Sequence, residues 1–143
     1  MPDQEQERLA ADLGATVGLL MRHLRAVSQQ GALTASQRSA LARIDTEGPT
    51  TIAALARAEL VRPQSMRLTI GALEEQGVVR RSPHPTDGRQ VVFSPTEDGR
   101  RIIGEARQAK QNWLAVAIAE RLDPAEQRTV AEATGLLRRL VRD

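Results

Sequence analysis

The sequence predicts a mainly α chain carrying one small β-hairpin, an α+β arrangement in which helices precede and follow a short two-stranded ribbon. Three observations predict it. Apolar residues recur at steps of three and four from Leu9 to Val27 and again from Ile102 to Val141, the spacing that lines one face of a helix. Start and stop signals, among them Thr34 with Gln37, Pro63, Gly77 and Asp123-Pro124, divide the chain into separate helices. The period changes once: Val78-Val79 and Val91-Val92-Phe93 are β-branched or aromatic runs flanking a loop, Ser82 to Gly88, rich in Pro, His, Asp and Gly.

Taken in order, residues 1–8 are polar and are expected to fray. From Leu9 the positions Leu13, Val17, Leu20, Leu24 and Val27 form one apolar stripe, giving a first helix that ends near Gly31. Thr34 and Gln37 form an S/T-x-x-Q capping box that opens a second helix through Leu41 and Ile44, stopped at Gly48-Pro49. Thr51 caps a third, from Ile52 to about Arg57. Ala58-Glu59-Leu60-Val61 then lead to Arg62-Pro63, a helix-turn-helix layout that lacks the glycine common in such turns. A plain αα-hairpin of a helical bundle has the same layout.

The fourth helix starts at Pro63, whose fixed φ suits the first helical position, and stops before Gly77, the residue type that ends helices in a left-handed conformation. At 100° per residue Met66, Ile70 and Leu73 share the packing side. Gln64, Leu68, Gly71 and Glu75 lie opposite, flanked by Ser65 and Arg67. That outward face suits a DNA major groove, because Arg reaches guanine, Gln pairs with adenine and Leu touches a thymine methyl. An ordinary solvated face looks similar, so the hairpin decides between the two readings. Two short strands cannot stand alone, so they must lie against the helices with their loop projecting. Arg89 at the base of that loop can enter a minor groove, with Asp87 orienting its guanidinium. His84 reads as an exposed loop residue beside a phosphate, and Pro95 is expected to shorten the second strand because it cannot donate to the ladder.

Thr96 caps the next helix, with Glu97 and Asp98 in its first turn, and Ile102, Ala106, Ala109, Trp113, Val116 and Ala117 as its apolar face. This helix runs to Leu122, roughly 40 Å. Asp123-Pro124-Ala125-Glu126 opens a last helix bearing Val130, Ala133, Leu137, Leu140 and Val141. The first helix and the last two carry more apolar surface than the small central region can cover, and a second copy would cover it. A two-fold dimer also sets two reading helices about 34–36 Å apart, matching successive major grooves. Residues 1–31 thus read as an N-terminal dimerisation helix, 32–95 as a winged helix-turn-helix lobe and 96–143 as C-terminal dimerisation helices. A monomer whose helices fold back into one bundle is the alternative.

Composition narrows the function. The 143 residues carry a formal net charge of only +2, so placement of the cations matters more than their sum. Lys110 is the sole lysine, and Arg57, Arg62, Arg67, Arg80, Arg81 and Arg89 concentrate in the proposed reading segment. Without cysteine there is no disulfide framework, thiolate metal site or thiol switch. His23 and His84 are too far apart in sequence for a metal motif, and no cofactor is expected. No nucleophile elbow, Walker loop or dinucleotide fingerprint occurs, which argues against an enzyme. No apolar run approaches the ~20 residues of a membrane span, and no signal segment is evident, so a soluble cytoplasmic protein is expected.

Three pieces of the chain resemble, in order, the MarR family of winged-helix transcription regulators: Leu55-Ala56 in the leading helix, Leu73-Glu74 with Gly77-Val78-Val79 closing the recognition helix, and the wing. In the wing, Asp87-Gly88-Arg89 followed by a β run, Thr96 and Gly99 looks like that family's Asp-x-Arg signature; Pro95 stands where the family usually has leucine. The resemblance implies a dimer joined through the terminal helices and a response to a small, often aromatic or phenolic, anion. Arg22, His23 and Arg25 on the first helix are the candidate anion contacts, with a solvated helix face as the plainer reading.

The function expected is that of a homodimeric regulator on double-stranded DNA, a repressor bound to a palindromic operator and released by a ligand. Asp87 and Arg89 serve the minor groove; Gln64, Ser65, Arg67 and Leu68 read the major groove; Thr51, Arg62 and Arg80 lie nearer phosphates. The alternative is a helical homodimer that binds proteins or small molecules without binding DNA, favoured by Leu68 on the reading face and by Pro95.

Overall fold

A computed structural model describes residues 1–29 and 31–142. Six helices and one hairpin follow in the order α1 (Gln4–Ser28), α2 (Ala35–Glu47), α3 (Ile52–Ala58), α4 (Pro63–Glu75), β1 (Val79–Pro83), β2 (Val91–Pro95), α5 (Glu97–Arg121) and α6 (Pro124–Leu140). The mainly α class with a β-hairpin is therefore observed. The chain forms two compact units, one of residues Ser28–Arg107 and one combining Met1–Val27 with Gln108–Asp143.

The N-terminus corrects one expectation: α1 begins at Gln4 instead of fraying up to Leu9. Asp3 and Gln6 cap it reciprocally, the Gln6 N–H donating to Asp3 Oδ1 at 2.8 Å and the Asp3 N–H to Gln6 Oε1 at 2.9 Å. Each satisfies a backbone donor that the first helical turn leaves unpaired. The boxes at Thr34/Gln37 and Asp123/Glu126 form as expected.

The core belongs to the Ser28–Arg107 unit. Leu41 and Ile44 of α2, Leu55 of α3, and Ile70 and Leu73 of α4 are at most 1 % exposed, and Met66, Val78, Val79, Phe93 and Ile103 join them. From α5 it is Ile103 that enters this core, while Ile102 packs only partly against it. Gly99 explains the choice. It lies one helical turn before Ile103 on the same face, and its missing side chain lets α5 approach the Val78 carbonyl, where a Cβ would sit only 2.1 Å from the oxygen.

In the hairpin the antiparallel register runs from Val79 opposite Pro95 to Pro83 opposite Val91. Ser82 and Pro83 are thus strand residues, and the loop narrows to residues 84–90. Pro95 does not shorten β2 but closes it, buried. Phe93 donates its N–H to Thr50 on the side away from β1, at 2.8 Å, and Pro95, two residues on, turns its nitrogen to that same side. The outer bridge is one residue long, so no partner there lacks a donor.

The other unit contains α1 up to Val27, α5 from Gln108, and α6. Leu24 is buried, yet α6 buries no residue, and Leu9, Val17, Leu20, Val116, Leu136 and Leu140 are all exposed. Within this unit the His23 and Trp113 rings stack at 5.8 Å between centroids. Among the described residues no helix is long and apolar enough to cross a membrane, and no cluster of His, Asp and Glu could hold a metal ion.

Candidate nucleic-acid interface

The turn between α3 and α4 supplies the first part of the site. Thr51 caps α3 by accepting the Ala54 N–H at 3.1 Å, so this half-buried residue has a structural role whatever else its hydroxyl touches. α3 closes with Val61 N–H donating to the Ala56 carbonyl at 3.0 Å and Leu60 N–H to the Arg57 carbonyl at 3.3 Å, the paired bonds of a Schellman motif. The left-handed position, normally a glycine, is taken by Leu60 at φ 56°. α4 ends in the same motif, with Gly77 at φ 71° and Val78 N–H donating to the Leu73 carbonyl.

An ion cluster fixes that turn from outside. Glu59 accepts from Arg43 Nε and from Ser39 Oγ, both at 2.7 Å, while Arg43 also reaches Glu47. Burial alone would raise the Glu59 carboxyl, but the bonds from Arg43 and Ser39, with the Arg43 charge, outweigh it and hold it below its usual range. Sequence reading missed this clamp because its members lie 16 and 20 residues apart.

α4 then presents the expected faces. Met66, Ile70 and Leu73 are buried; Arg62, Gln64, Ser65, Arg67, Leu68 and Glu75 are exposed, and Gly71 is half-buried. Arg62 occupies the exposed N-cap of α4 and makes no side-chain cap bond. Leu68 is 79 % exposed, an apolar side chain standing in water on the outward face.

The hairpin is tied to this helix by an arginine that the sequence placed among the cations available to DNA. Arg81 donates to both carboxylate oxygens of Glu74, Nε at 2.9 Å and Nη2 at 2.7 Å, and lies 5.7 Å from the centroid of the Phe93 ring. These bonds hold the Glu74 carboxyl below its usual range. Arg81 is therefore neutralised in place, whereas Arg57, Arg62, Arg67, Arg80 and Arg89 have no ion pair among the described residues. Between α4 and the hairpin lies a groove of ≈ 400 Å³, lined by Ile52, Arg67, Ile70, Glu74, Arg81 and Phe93.

At the wing tip two expectations change. Asp87 does not orient the Arg89 guanidinium; its Oδ1 accepts the Arg89 backbone N–H at 3.1 Å, and its carbonyl accepts the Gln90 N–H at 3.0 Å. An aspartate two residues before the donor closes a local Asx-type turn more readily than it reaches a long side chain. His84, half-buried, turns its Nδ1 inward as an acceptor for the N–H groups of Thr86 at 3.2 Å and Asp87 at 3.1 Å. Arg89 is left exposed beyond this braced loop.

Arg22, His23 and Arg25 are all exposed; helical spacing brings Arg22 and Arg25 to one side of α1 and sets His23 about 160° from Arg25. His23 bonds the Leu19 carbonyl through Nδ1 at 3.0 Å and stacks on Trp113.

Three short helices with a tight turn before the last, an arginine-bearing outward face and a braced hairpin beyond it define a winged helix-turn-helix, a DNA-binding class. Known proteins narrow the class further. The MarR family model matches residues 33–91. A helix-turn-helix-type transcriptional regulator of Mycobacterium tuberculosis is 42% identical over 134 residues, covering 94% of this chain and 93% of the relative. A solved structure of a proposed transcriptional regulator from Pseudomonas aeruginosa superposes with a TM-score of 0.87 at 31% identity over 99% of both chains. MarR of E. coli shares the fold, with a TM-score of 0.71 at 22% identity over 91% of this chain and 97% of that one. The chain belongs to the MarR family and is a DNA-binding transcriptional regulator.

Proposed function

We propose that this regulator binds a palindromic operator as a homodimer and represses until a small aromatic or phenolic anion releases it. The observation that carries the DNA-reading assignment is the uncompensated charge: Arg62, Arg67, Arg80 and Arg89 have no carboxylate partner among the described residues, while Arg81 is paired with Glu74. Gln64, Ser65, Arg67 and Leu68 read the major groove, Arg89 enters the minor groove on a loop held by Asp87, and Arg62, Arg80 and Thr51 meet phosphates. The dimer rests on residues 1–31 and 96–143, supported by the exposed apolar side chains of α1 and α6. Arg22, His23 and Arg25 are the candidate contacts for the anion, which acts by favouring a dimer form with mis-spaced reading helices. The protein works in the cytoplasm by binding and not by catalysis.

The test is a titration of the purified protein onto the intergenic DNA upstream of its own gene at two salt concentrations, with Arg89→Ala beside wild type. Salt-steep, specific binding of a dimer that weakens in the variant supports the reading. Binding by a monomer, or equal binding by the variant, refutes the corresponding part.

A further inference from the structure

We propose that His84 is a positioning residue that aims Arg89 only while its imidazole is neutral, so that proton uptake by this one side chain loosens the wing and weakens DNA binding. The proposal rests on the reading above in which Arg89 meets DNA. The wing tip is closed by few bonds: His84 N–H to the Gln90 carbonyl at 3.0 Å, Gln90 N–H to the Asp87 carbonyl at 3.0 Å, Arg89 N–H to Asp87 Oδ1, and the two bonds to His84 Nδ1. Two of them converge on a single ring nitrogen. A nitrogen that accepts N–H donors carries no hydrogen, so the folded loop requires the neutral ring with its proton on Nε2. An imidazolium has a hydrogen on both nitrogens; it would turn a donor toward the Thr86 and Asp87 donors, and both bonds would be lost.

The Thr86 hydroxyl, 3.4 Å from Nδ1, is the one acceptor at hand, and a long bond to it restores neither backbone contact. Asp87, the loop's only carboxylate, is engaged by the Arg89 N–H; Arg81 of β1 is taken by Glu74; Arg80 and Arg89 are cations, and β2 contains no ionisable side chain. The hydrogen bonds set the direction: a hydrogen on Nδ1 opposes the two donors that close the wing, so binding weakens in acid. Loss of the two bonds predicts a fall of roughly five- to a hundredfold per wing.

The experiment uses the full chain and a duplex recovered by wild-type protein from a random-sequence pool at pH 7.5, with affinity measured from pH 8 to 5.5. His84→Asn keeps an acceptor in place of Nδ1 but cannot titrate. The expected result is acid-weakened binding in wild type, nearly flat binding in His84→Asn, and, without DNA, loss of amide protection at Thr86 and Asp87 on acidification in wild type but not in His84→Asn. Binding in wild type no more acid-sensitive than in His84→Asn would overturn the proposal. So would tighter binding in acid, the behaviour of an imidazolium that meets a phosphate. Arg89→Ala separates the layers: if it binds like wild type at pH 7.5, the wing assignment fails and takes the proposal with it. If it binds weakly while wild type is insensitive to pH, the proposal alone fails.

Discussion

Replacing Gly99 with alanine probes the contact on which the seating of α5 depends. The new Cβ would lie 2.1 Å from the Val78 carbonyl oxygen, 3.1 Å from its carbon and 3.4 Å from Leu41 Cδ1. The leucine can give way by a rotamer adjustment. Val78 cannot, because it is 2 % exposed and its carbonyl already accepts the Thr96 N–H at 3.0 Å. Restoring an ordinary carbon–oxygen contact of about 3.3 Å moves the first turn of α5 by about 1 Å. That shift breaks the Thr96 N–H bond and the bond from Thr96 Oγ1 to the Gly77 carbonyl, now 2.6 Å, at about 1 kcal/mol each. Overpacking around Leu41 and Ile103 adds about 1–3 kcal/mol, and the better helix propensity of alanine returns about 1 kcal/mol. The expected loss is about 2–4 kcal/mol. Gly104→Ala, in the same helix with open space around it, gains the propensity alone and should stabilise by up to about 1 kcal/mol. Urea unfolding of both variants at one fixed protein concentration measures the difference, since dissociation of a dimer would otherwise shift the midpoint. If Gly99→Ala unfolds at or above the wild-type midpoint, alongside Gly104→Ala, the close approach of α5 to Val78 is wrong.

Further outcomes follow from the same geometry. Arg89→Ala should lower DNA affinity for sites flanked by A·T and flatten the salt dependence by about one released counterion per wing, whereas Arg67→Ala should alter base preference in a selection; equal, sequence-independent losses in both would contradict the two roles. Glu59 and Glu74 titrate below their unfolded values, so the stability they contribute is complete above about pH 4.3 and is lost as pH falls through their folded values. Glu59→Gln and Glu74→Gln should each reduce the acid slope of the urea midpoint, and an unchanged slope would show that the ion pairs do not form. Leu60→Asn should raise stability by about 0.5–1 kcal/mol, because Leu60 is 92 % exposed and asparagine tolerates the left-handed backbone better; a lower thermal midpoint would argue against that conformation.

Much of this regulator was legible in the sequence because its signals are local. A capping box spans four residues, Pro63 and Gly77 mark the ends of α4, and the alternation of Met66, Ile70 and Leu73 with Gln64 and Leu68 needs only the helical period. Side chains that face no partner were likewise readable: Arg62, Arg67 and Arg89 stand exposed as their positions implied. The residues that hold the reading surface in place were not. Arg81 meets Glu74 across a helix end and a strand, Glu59 meets Arg43 and Ser39 of an earlier helix, and Gly99 meets the backbone of Val78. None of these pairs has a spacing that local geometry selects.

The sequence by itself determined where helices begin and end, which face of each is apolar, and which cations cluster near the reading helix, since backbone propensity and side-chain period act within a few residues. Only the tertiary structure decided which of those cations remain free, why Pro95 closes β2 without disrupting it, and that His84 braces the wing from within. Those outcomes depend on groups brought together through space, where a hydrogen bond or a 2.1 Å clash is set by the packing of distant segments.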